Sequence, residues 1–418
     1  MPANPAQPDI NPIFFCSPTR IMFGAGVRTE LPPLLAQLGY QRAAIVTDRF
    51  FSAPGRAASE LVDGLKRVGI SSVMFDGGLP DPSLELCDRA SAHLREQGAV
   101  DCVIAVGGGS NIDLAKVMTL TLTSHHAAAH YVGKPRLDTK PLPLIAMPTT
   151  AGTASEITPG AILVSGDGQT KVAVMDNELR ARIAVIDPEL TLSCPPRVTA
   201  DAGVDALTHA IESFITMDAS DFNREGQADP GYSGRNALTR IFAREAIRLC
   251  FAHLQRAYRC PDDIQARTGM ALASLYAGMS YGNAGLHAVH ALAYGVAALT
   301  HESHGTTNAV MLPYVMAELA ADRMEDLCEI ARMANVHHEP HSSLKGAAAG
   351  AHHVRELIRS VGIATTLAEL GVTAPDLGRV AAAGIAVTRL TKAFPGGQAE
   401  RRYLEIVHAA FQGTLPDA

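Results

Sequence analysis

Over its first 190 residues the chain alternates short, apolar, β-branched runs with amphipathic stretches of helical spacing. Two of these stretches, 55–69 and 83–98, end at glycine, a common helix stop. Strands that alternate with helices pair in parallel, and the helices then cover both faces of the sheet. We therefore predict a doubly wound α/β domain with strands at 43–47, 71–75, 101–106, 143–147 and 183–186.

The character of the chain changes after Asp187–Pro188. Before this point, the run 160–175 has two strand-like pieces around Gly-Asp-Gly and predicts a hairpin. Beyond it, long Ala- and Leu-rich stretches from 199 to 411 predict helices. The sequence thus predicts an α/β domain over residues 1–190 and an all-helical domain over residues 191–418. The polar segment 217–235 is interpreted as a surface loop.

Size, charge and cysteine usage narrow the class of protein. With 418 residues the chain is long enough for two domains, each with its own core. A net charge of −7 without any basic block argues against nucleic acid or an anionic membrane as a partner. The seven cysteines form no CxxC pair, which indicates reduced thiols and a cytoplasmic protein. The first residues lack a basic start and an apolar core, so no signal peptide is expected.

From Thr268 to His301 the chain carries no Asp, Glu, Lys or Arg, which is long enough for a membrane span. The stretch is interrupted by "SYGNAG" at 280–285 and contains three histidines, which membrane helices seldom tolerate. We therefore predict two buried helices around a polar site. Within this stretch His287 and His301 either support that site, line a substrate pocket or are purely structural.

A glycine triplet follows the predicted strand at 101–106 and opens a helix. Glycines allow the backbone to approach a pyrophosphate closely, and a helix start offers free N–H groups and a favourable dipole. Ser110 and Asp113 stand three apart, the spacing of a helix cap. The alternative is an ordinary strand-to-helix turn, since the triplet is not a GxGxxG motif.

Hydroxyl and carboxylate side chains follow two other predicted strands. In "PTTAGTASEIT" at 148–158, Thr149, Thr150 and Thr153 are able to bond phosphate or ribose, or else cap their own helix. Asp48 ends the strand at 43–47, where ligands gather in open α/β sheets. A carboxylate there would bond ribose hydroxyls and repel a 2′-phosphate; the alternative is an exposed turn aspartate.

Metal-ligand residue types occur in the helical half. Asp205 and His209 stand four apart in "VDALTHAIE", so both project from one helix face. His290 and His304 follow in and just after the uncharged stretch, where a buried histidine needs partners for its nitrogens. A metal ion is one such partner, and three imidazoles with one carboxylate suit Fe(II) or Zn(II). Taken alone, Asp205 and His209 are more typical of a solvated Asp–His pair than of metal ligands.

Four segments together resemble the signatures of a known family. The segments "GGGSNIDLAK", "PTTAGTASEIT", "GVDALTHAIES" and "HALAYGVAALTHESHGTTNAVMLP" resemble those of the iron-containing (group III) alcohol dehydrogenases, in the same order and spacing. The resemblance covers most of residues 15–320. It implies a dehydroquinate synthase-like architecture: an N-terminal dinucleotide-binding domain, a helical metal-binding and catalytic domain, and an active site between them.

The resemblance also assigns roles to residues of this chain. It implies a metal, Fe2+ with Zn2+ as the alternative, bound by Asp205, His209, His290 and His304. It implies NAD as the dinucleotide, preferred over NADP because of Asp48, and an assembly of two or more copies. The remaining residues that it assigns to the dinucleotide site are Gly108, Gly109, Ser110, Asp113, Thr149, Thr150, Thr153 and Lys171.

Two features depart from the simplest members of this family. Where many relatives have a second histidine four residues after position 290, this chain has Tyr294, which either acts in catalysis with His290 and His304 or anchors helix packing. The polar segment 217–235 is longer than the corresponding connection in the simplest alcohol dehydrogenases. Both features favour the hydroxyacid–oxoacid transhydrogenase branch of the family, or an uncharacterised neighbour of that branch.

The resemblance implies hydride transfer between an alcohol or hydroxyacid and NAD, which interconverts the alcohol with an aldehyde or ketone. A metal that polarises oxygen beside a dinucleotide that accepts hydride suits this reaction. One alternative is a hydroxyacid–oxoacid transhydrogenase that retains its NAD. Another is a lyase or cyclase related to dehydroquinate synthase.

Overall fold

The structure, a computed structural model, describes residues 13–166, 170–339 and 341–418. Its N-terminal half is built on a six-stranded sheet in which every neighbouring pair is parallel, in the order β1-β8-β5-β4-β2-β3. A separate hairpin is formed by β6 and β7. The strands are β1 Arg20–Phe23, β2 Arg42–Val46, β3 Ser71–Phe75, β4 Cys102–Gly107, β5 Leu144–Pro148, β6 Gly160–Val164, β7 Lys171–Met175 and β8 Ile183–Ile186.

Helices cover both faces of the sheet, as a doubly wound fold requires. Along β2, Ala44 and Val46 belong to the core on one face, whereas Ala43 and Ile45 belong to the core on the other. This alternation follows from the two-residue period of a strand. The helices of this half are α1 Leu31–Gln37, α2 Arg49–Ser52, α3 Ala57–Arg67, α4 Leu84–Glu96 and α5 Gly109–Thr121.

All five predicted strands of the sheet are present, but the sheet contains a sixth that the sequence pattern did not reveal. This strand, β1, has four residues and pairs only with β8, at the edge of the sheet. Its residues are partly exposed, and its apolar run, Ile21 to Phe23, is shorter than the four to eight residues by which a buried strand is recognised.

The predicted hairpin at 160–175 is confirmed. Its strands β6 and β7 pair antiparallel over five residues each. The turn residues 167–169 lie outside the described part of the chain, as do residues 1–12, on which the expectation about a signal peptide rests. The hairpin begins its second strand with Lys171, which reaches the cavity described below.

Beyond residue 195 the described chain is helical, as expected. The predicted pair of helices in the uncharged stretch is confirmed as α8 and α9, and no helix of the described residues is long and apolar enough to cross a membrane. The boundary after residue 190 remains a prediction. The helices are α6 Pro196–Ile215, α7 Ala237–Arg259, α8 Ile264–Ala284, α9 Ala288–Thr300, α10 His304–Glu318, α11 Met324–Met333, α12 Leu344–Ser360, α13 Leu377–Ala386, α14 Thr388–Thr391 and α15 Ala399–Gln412.

The segment 217–235 is only in part the surface loop that was expected. Its last residues turn inward: Arg235 is buried and forms ion pairs with Asp218 and Asp326. Tyr232 packs against Gly285, which links α8 to α9 with a positive φ of 99°. A Cβ at Gly285 would lie 3.2 Å from the Tyr232 ring, so glycine allows this close approach. The inward part was missed because its polar composition resembles that of an exposed loop.

Candidate active site

One face of α6 presents a row of buried polar side chains. Asp205, His209 and Glu212 follow each other at spacings of four and three residues, so they lie on the same side of the helix. Their exposed fractions are 2%, 3% and 0%. Glu212 was not among the predicted site residues, although it continues the spacing of Asp205 and His209 by one turn.

The Glu212 carboxylate joins α6 to the start of α9. It accepts hydrogen bonds from the backbone N–H of Val289 at 2.8 Å and of His287 at 3.2 Å, and it is bonded to Nδ1 of His290. A carboxylate at this position satisfies free N–H groups and complements the helix dipole. With Nδ1 of His290 bonded to Glu212, its Nε2 faces away from that carboxylate and towards Asp205.

Three predicted ligands converge. One ligand atom each of Asp205, His209 and His290 lies within 4.8 Å of the others. The Nε2 atoms of the two histidines are 3.0 Å apart, and Nε2 of His290 lies 3.7 Å from Oδ1 of Asp205. Two imidazole nitrogens and a carboxylate oxygen that are buried this close together are a donor set for a divalent metal ion.

The fourth predicted ligand, His304, stands at the rim of this cluster. It begins α10, its side chain is 32% exposed, and its Nε2 lies 3.9 Å from Oδ1 of Asp205. One turn further on, the amide nitrogen of Asn308 lies 2.9 Å from Asp205 Oδ1 and 3.1 Å from Nε2 of both His290 and His304. An amide has only two N–H groups for three acceptors. The Asn308 amide nitrogen thus lies where Asp205 Oδ1 and the two histidine Nε2 atoms converge. Asn308 was not among the predicted site residues.

Burial and charge set the protonation of the cluster. Burial lowers the pKa of His209 to about 4 and that of His304 to about 3, so both imidazoles are neutral at neutral pH. Burial also opposes charge on His290, but the Glu212 carboxylate outweighs it and raises the pKa of His290 to about 9. Burial would raise the pKa of Asp205, yet His209 and the other imidazoles hold it well below its usual range. Metal binding needs neutral imidazoles beside an ionised carboxylate, so His209, His304 and Asp205 are already in the binding form, whereas His290 would give up its second proton when a metal binds.

The two histidines without an assigned role have different surroundings. His287 is fully buried, and its Nδ1 lies 3.3 Å from the Glu212 carboxylate. His301 is exposed and ends α9 in the left-handed conformation. His287 therefore belongs to the support of the cluster, and His301 serves as the end of a helix.

Replacing Glu212 with glutamine is expected to weaken metal binding roughly 10- to 100-fold, the usual effect of removing a partner that orients a ligating histidine. Glutamine keeps the size of the side chain but removes the charge that holds the Nδ1 proton of His290. Competition with a chelator measures the affinity, and Glu245→Gln, at an exposed ion pair on α7, is the control. Equal metal affinity in the two variants would contradict this role of Glu212.

The glycine turn after β4 brings the start of α5 to the same region. Gly108 is the N-terminal cap residue of α5, and no side chain caps the helix. The expected cap from Ser110 and Asp113 is therefore wrong: the Asp113 carboxylate instead accepts from Ser155 Oγ and from the Ile162 N–H. The first N–H groups of α5 consequently have no side-chain cap and are available to an anion.

The other predicted dinucleotide residues surround this turn. A Cβ at Gly109 would lie 2.5 Å from Thr153 Oγ1, and one at Gly108 would lie 3.5 Å from Thr150. Thr149 is buried and donates its N–H to Gly107 at 3.0 Å. The turn thus needs glycine for packing, and the threonines lie beside it.

Asp48 lies at the end of β2, next to β4 in the sheet. The chain order reverses between these two strands, which is where open α/β sheets bind ligands. One oxygen of Asp48 caps α2 through the Phe50 N–H at 2.9 Å, and the other accepts from Asn111 Nδ2 at 2.9 Å. The oxygen that caps α2 also accepts from the Phe51 N–H at 3.3 Å, so the oxygen bonded to Asn111 is the one that retains a lone pair for another donor.

A single cavity between the two halves joins the metal-ligand cluster to the start of α5. Asp48, Gly108, Thr149 and Thr150 are not part of its lining. Ten of the predicted site residues line the cavity: Gly109, Ser110, Asp113, Thr153, Lys171, Asp205, His209, His290, Tyr294 and His304.

Tyr294 lies one turn beyond His290 on α9 and reaches the cavity, as expected. Its ring centroid is 6.3 Å from that of His304. Its hydroxyl oxygen accepts a hydrogen bond of 2.8 Å from Nη2 of Arg389, a cavity residue that the sequence patterns did not single out. Because the oxygen accepts from Arg389, the hydroxyl proton is free to point into the cavity.

Comparison with family models covers both halves of the molecule. The model described as "Iron-containing alcohol dehydrogenase" matches residues 18–188. The model described as "Fe-containing alcohol dehydrogenase family, C-terminal" matches residues 231–411. The chain belongs to the iron-containing alcohol dehydrogenase family. The predicted family and its two-part α/β and helical architecture are thereby confirmed.

Two relatives of this family member are similar to it over nearly the whole chain. Long-chain-alcohol dehydrogenase 1 of Geobacillus thermodenitrificans is 34% identical over 94% of this chain and 95% of its own. The mitochondrial hydroxyacid–oxoacid transhydrogenase of Homo sapiens is 30% identical over 95% of this chain and 88% of its own. A crystal structure of a 1,3-propanediol oxidoreductase, 29% identical, superimposes with a TM-score of 0.86 over 96% of this chain and 100% of its own.

Proposed function

We propose that the protein interconverts an alcohol, or a hydroxyacid, with the corresponding aldehyde or ketone, using NAD and one divalent metal ion, Fe2+ in preference to Zn2+. The observation that carries the proposal is the convergence of Asp205, His209 and His290 in the same cavity as the start of α5. Those two features would place an electrophile beside a bound dinucleotide.

The residues divide between two tasks. Asp205, His209, His290 and His304 would hold the metal, with Glu212 fixing the orientation of His290. When bound, the metal supplies Lewis acidity at the substrate oxygen, and NAD supplies the hydride acceptor. His290 and His304 would also border the reacting carbon, because they form the wall of the cavity next to Tyr294.

The dinucleotide would lie along the carboxyl ends of β2, β4 and β5. The free N–H groups at the start of α5 suit its pyrophosphate, and the surrounding side chains bond its phosphates and riboses. We assign this task to Asp48, Gly108, Gly109, Ser110, Asp113, Thr149, Thr150, Thr153 and Lys171.

Tyr294 would move a proton. Arg389 orients its hydroxyl oxygen, so the O–H is directed at the cavity, where it can donate to or accept from the substrate hydroxyl.

The test is a spectrophotometric assay of the iron-loaded enzyme with NAD and a panel of alcohols, hydroxyacids and aldehydes. We expect NADH absorbance to rise with at least one alcohol and to stop rising after chelation. A lyase or cyclase related to dehydroquinate synthase would show no net reduction of NAD, and an absence of NADH with every compound would contradict the proposal.

A hydroxyacid–oxoacid transhydrogenase is the second candidate, supported by Tyr294 at the position where simpler relatives have histidine. In that reaction the hydride returns from retained NADH to an oxoacid. Incubation of a hydroxyacid with an oxoacid, without added NAD, distinguishes it: oxidation of one compound would equal reduction of the other, with no NADH released.

Asp48→Gly is expected to narrow the preference for NAD over NADP. A carboxylate beside a 2′-phosphate repels it, while the smaller residue removes the repulsion together with a bond to the ribose. The ratio of kcat/KM for the two cofactors measures the effect, with Asp76→Gly on the nearby surface as the control. Higher efficiency of the wild-type enzyme with NADPH would show that this assignment of Asp48 is wrong.

We further propose a cytoplasmic homo-oligomer, a dimer in the simplest case, with its dinucleotide domain over residues 1–190 and its catalytic domain over residues 191–418. The composition points to a small molecule as the only partner apart from a second copy, with neither nucleic acid nor membrane. Light scattering of the purified protein tests the assembly.

A further inference from the structure

Arg389 lies on α14 and lines the active-site cavity together with its neighbour Leu390. Its Nη2 donates to the Tyr294 hydroxyl, and its Cζ lies 5.8 Å from the centroid of the Tyr294 ring. A guanidinium carries five N–H donors and remains charged at any physiological pH. A single neutral hydroxyl leaves most of that capacity unused.

Other buried arginines of the described chain are better satisfied. Arg235 and Arg402 each pair with two carboxylates. Arg180 has no carboxylate but donates to Asn177 and to two backbone carbonyls. Arg389, by contrast, makes one hydrogen bond and no ion pair within residues 13–166, 170–339 and 341–418.

Among the described residues, the groups that influence Arg389 electrostatically are tyrosine hydroxyls and not carboxylates. The hydroxyls of Tyr294 and Tyr232 are the partners that favour its charge, while burial opposes it. An unneutralised cation in a partly desolvated cavity is costly unless an anion joins it there. Arg389 therefore reaches the cavity without an ion-pair partner among the described residues.

We propose that Arg389 binds the carboxylate of the substrate, so that the enzyme acts on hydroxycarboxylates and their oxo counterparts. This inference rests on the proposed function, since it names the substrate class of the same site. The planar guanidinium fork matches a carboxylate and is able to hold it with two parallel hydrogen bonds.

The position of Arg389 also limits where the hydroxyl stands on the substrate. His304 and Arg389 are both neighbours of Tyr294, whose ring lies 6.3 Å from the His304 ring and 5.8 Å from the Arg389 Cζ. The hydroxyl and carboxylate of a 2-hydroxy acid stand on adjacent carbons, which leaves little length for a substrate held at both Arg389 and the metal ligands. Leu286 and Leu390 line the same cavity and suit a chain of methylenes. The favoured substrates thus carry the hydroxyl at the far end from the carboxylate.

The test uses metal-loaded, full-length enzyme and compares Arg389→Met and Arg389→Lys with wild type. Arg379→Met, at an arginine that is 72% exposed on α13, is the control. The substrates are ω-hydroxycarboxylates of three to six carbons and the 1-alkanols of equal length, each with NAD. Tm and metal content verify that every variant is folded and loaded.

We expect wild type to favour the longer hydroxycarboxylates over the alkanols. Arg389→Met should lower kcat/KM for them roughly 10²-fold, chiefly through KM, because one partner of a charge-assisted pair is lost. The loss for alkanols should be at least tenfold smaller, and Arg389→Lys should retain part of the preference, since it keeps the charge without the fork. Arg379→Met should keep the wild-type preference.

Equal losses on both substrate series would overturn the proposal and make Arg389 a support for Tyr294. A higher KM for NAD with an unchanged preference for carboxylates would overturn it in favour of a dinucleotide contact. Calorimetry with pentanoate gives a readout without turnover: binding should weaken about tenfold or more in Arg389→Met. If wild type oxidises alkanols but neither prefers nor binds carboxylates, this inference fails and the proposed function stands. If it produces no NADH from any alcohol but binds pentanoate through Arg389, the proposed function fails instead.

Discussion

His209→Ala is expected to remove the metal ion and to abolish turnover without unfolding the protein. His209 is 3% exposed, and its Nε2 lies 3.0 Å from that of His290, so its loss opens the innermost part of the donor set. Lewis acidity contributes several kcal/mol to stabilising charge in the transition state, which corresponds to a loss of about 10³-fold or more. The substitution also removes the stacking of the His209 imidazole on the Tyr281 ring, whose centroids are 4.0 Å apart. The Tm should therefore fall modestly.

His304→Ala provides the graded comparison. His304 is also expected to be a ligand, so the variant should lose metal and activity. The His304 side chain is 32% exposed and lies outside the group formed by Asp205, His209 and His290. The metal affinity should therefore fall less in His304→Ala than in His209→Ala. His301→Ala, at an exposed position three residues earlier, is the matched control. Elemental analysis measures metal per chain, and full metal content in both His209→Ala and His304→Ala would refute the assignment.

The second large effect is expected at Tyr294. Tyr294→Phe keeps the ring and its packing near His304 but removes the hydroxyl that Arg389 orients. If that hydroxyl transfers or positions a proton, turnover should fall ~10²–10⁴-fold, the usual contribution of general acid–base catalysis. The loss should appear in kcat for alkanols and hydroxycarboxylates alike, unlike the KM effect expected for Arg389→Met.

The control is Tyr403→Phe, at a buried tyrosine that packs on Phe394 outside the cavity. Metal content and Tm should be unchanged in both tyrosine variants, so a fall in turnover at Tyr294 alone would identify a chemical role. Wild-type turnover in Tyr294→Phe across several substrates would leave helix packing as the function of this residue.

The predictions that held concern patterns contained within one segment. The alternation of strands and helices located five of the six sheet strands, and Gly285, the last residue of the interruption at 280–285, begins the break between α8 and α9. Strand β1 was not predicted, because its four residues form a strand only through pairing with β8, which lies far along the chain. The Ser110–Asp113 cap failed because Asp113 has a better use: its carboxylate bonds Ser155 and the Ile162 N–H, which tertiary packing brings close.

The sequence by itself determined the family, the two-part architecture and the identity of the ligand-type side chains, because residue type and helical spacing are local properties. Only the tertiary structure decided which of those side chains meet. Glu212 matters because α9 begins against α6, and Asn308 because α10 places its amide among three acceptors. Arg389 is 95 residues from Tyr294 in sequence, and nothing nearby marks it. Its importance comes from the lack of an ion-pair partner for it among the described residues. No local pattern encodes this property, because burial and charge balance depend on how distant helices pack.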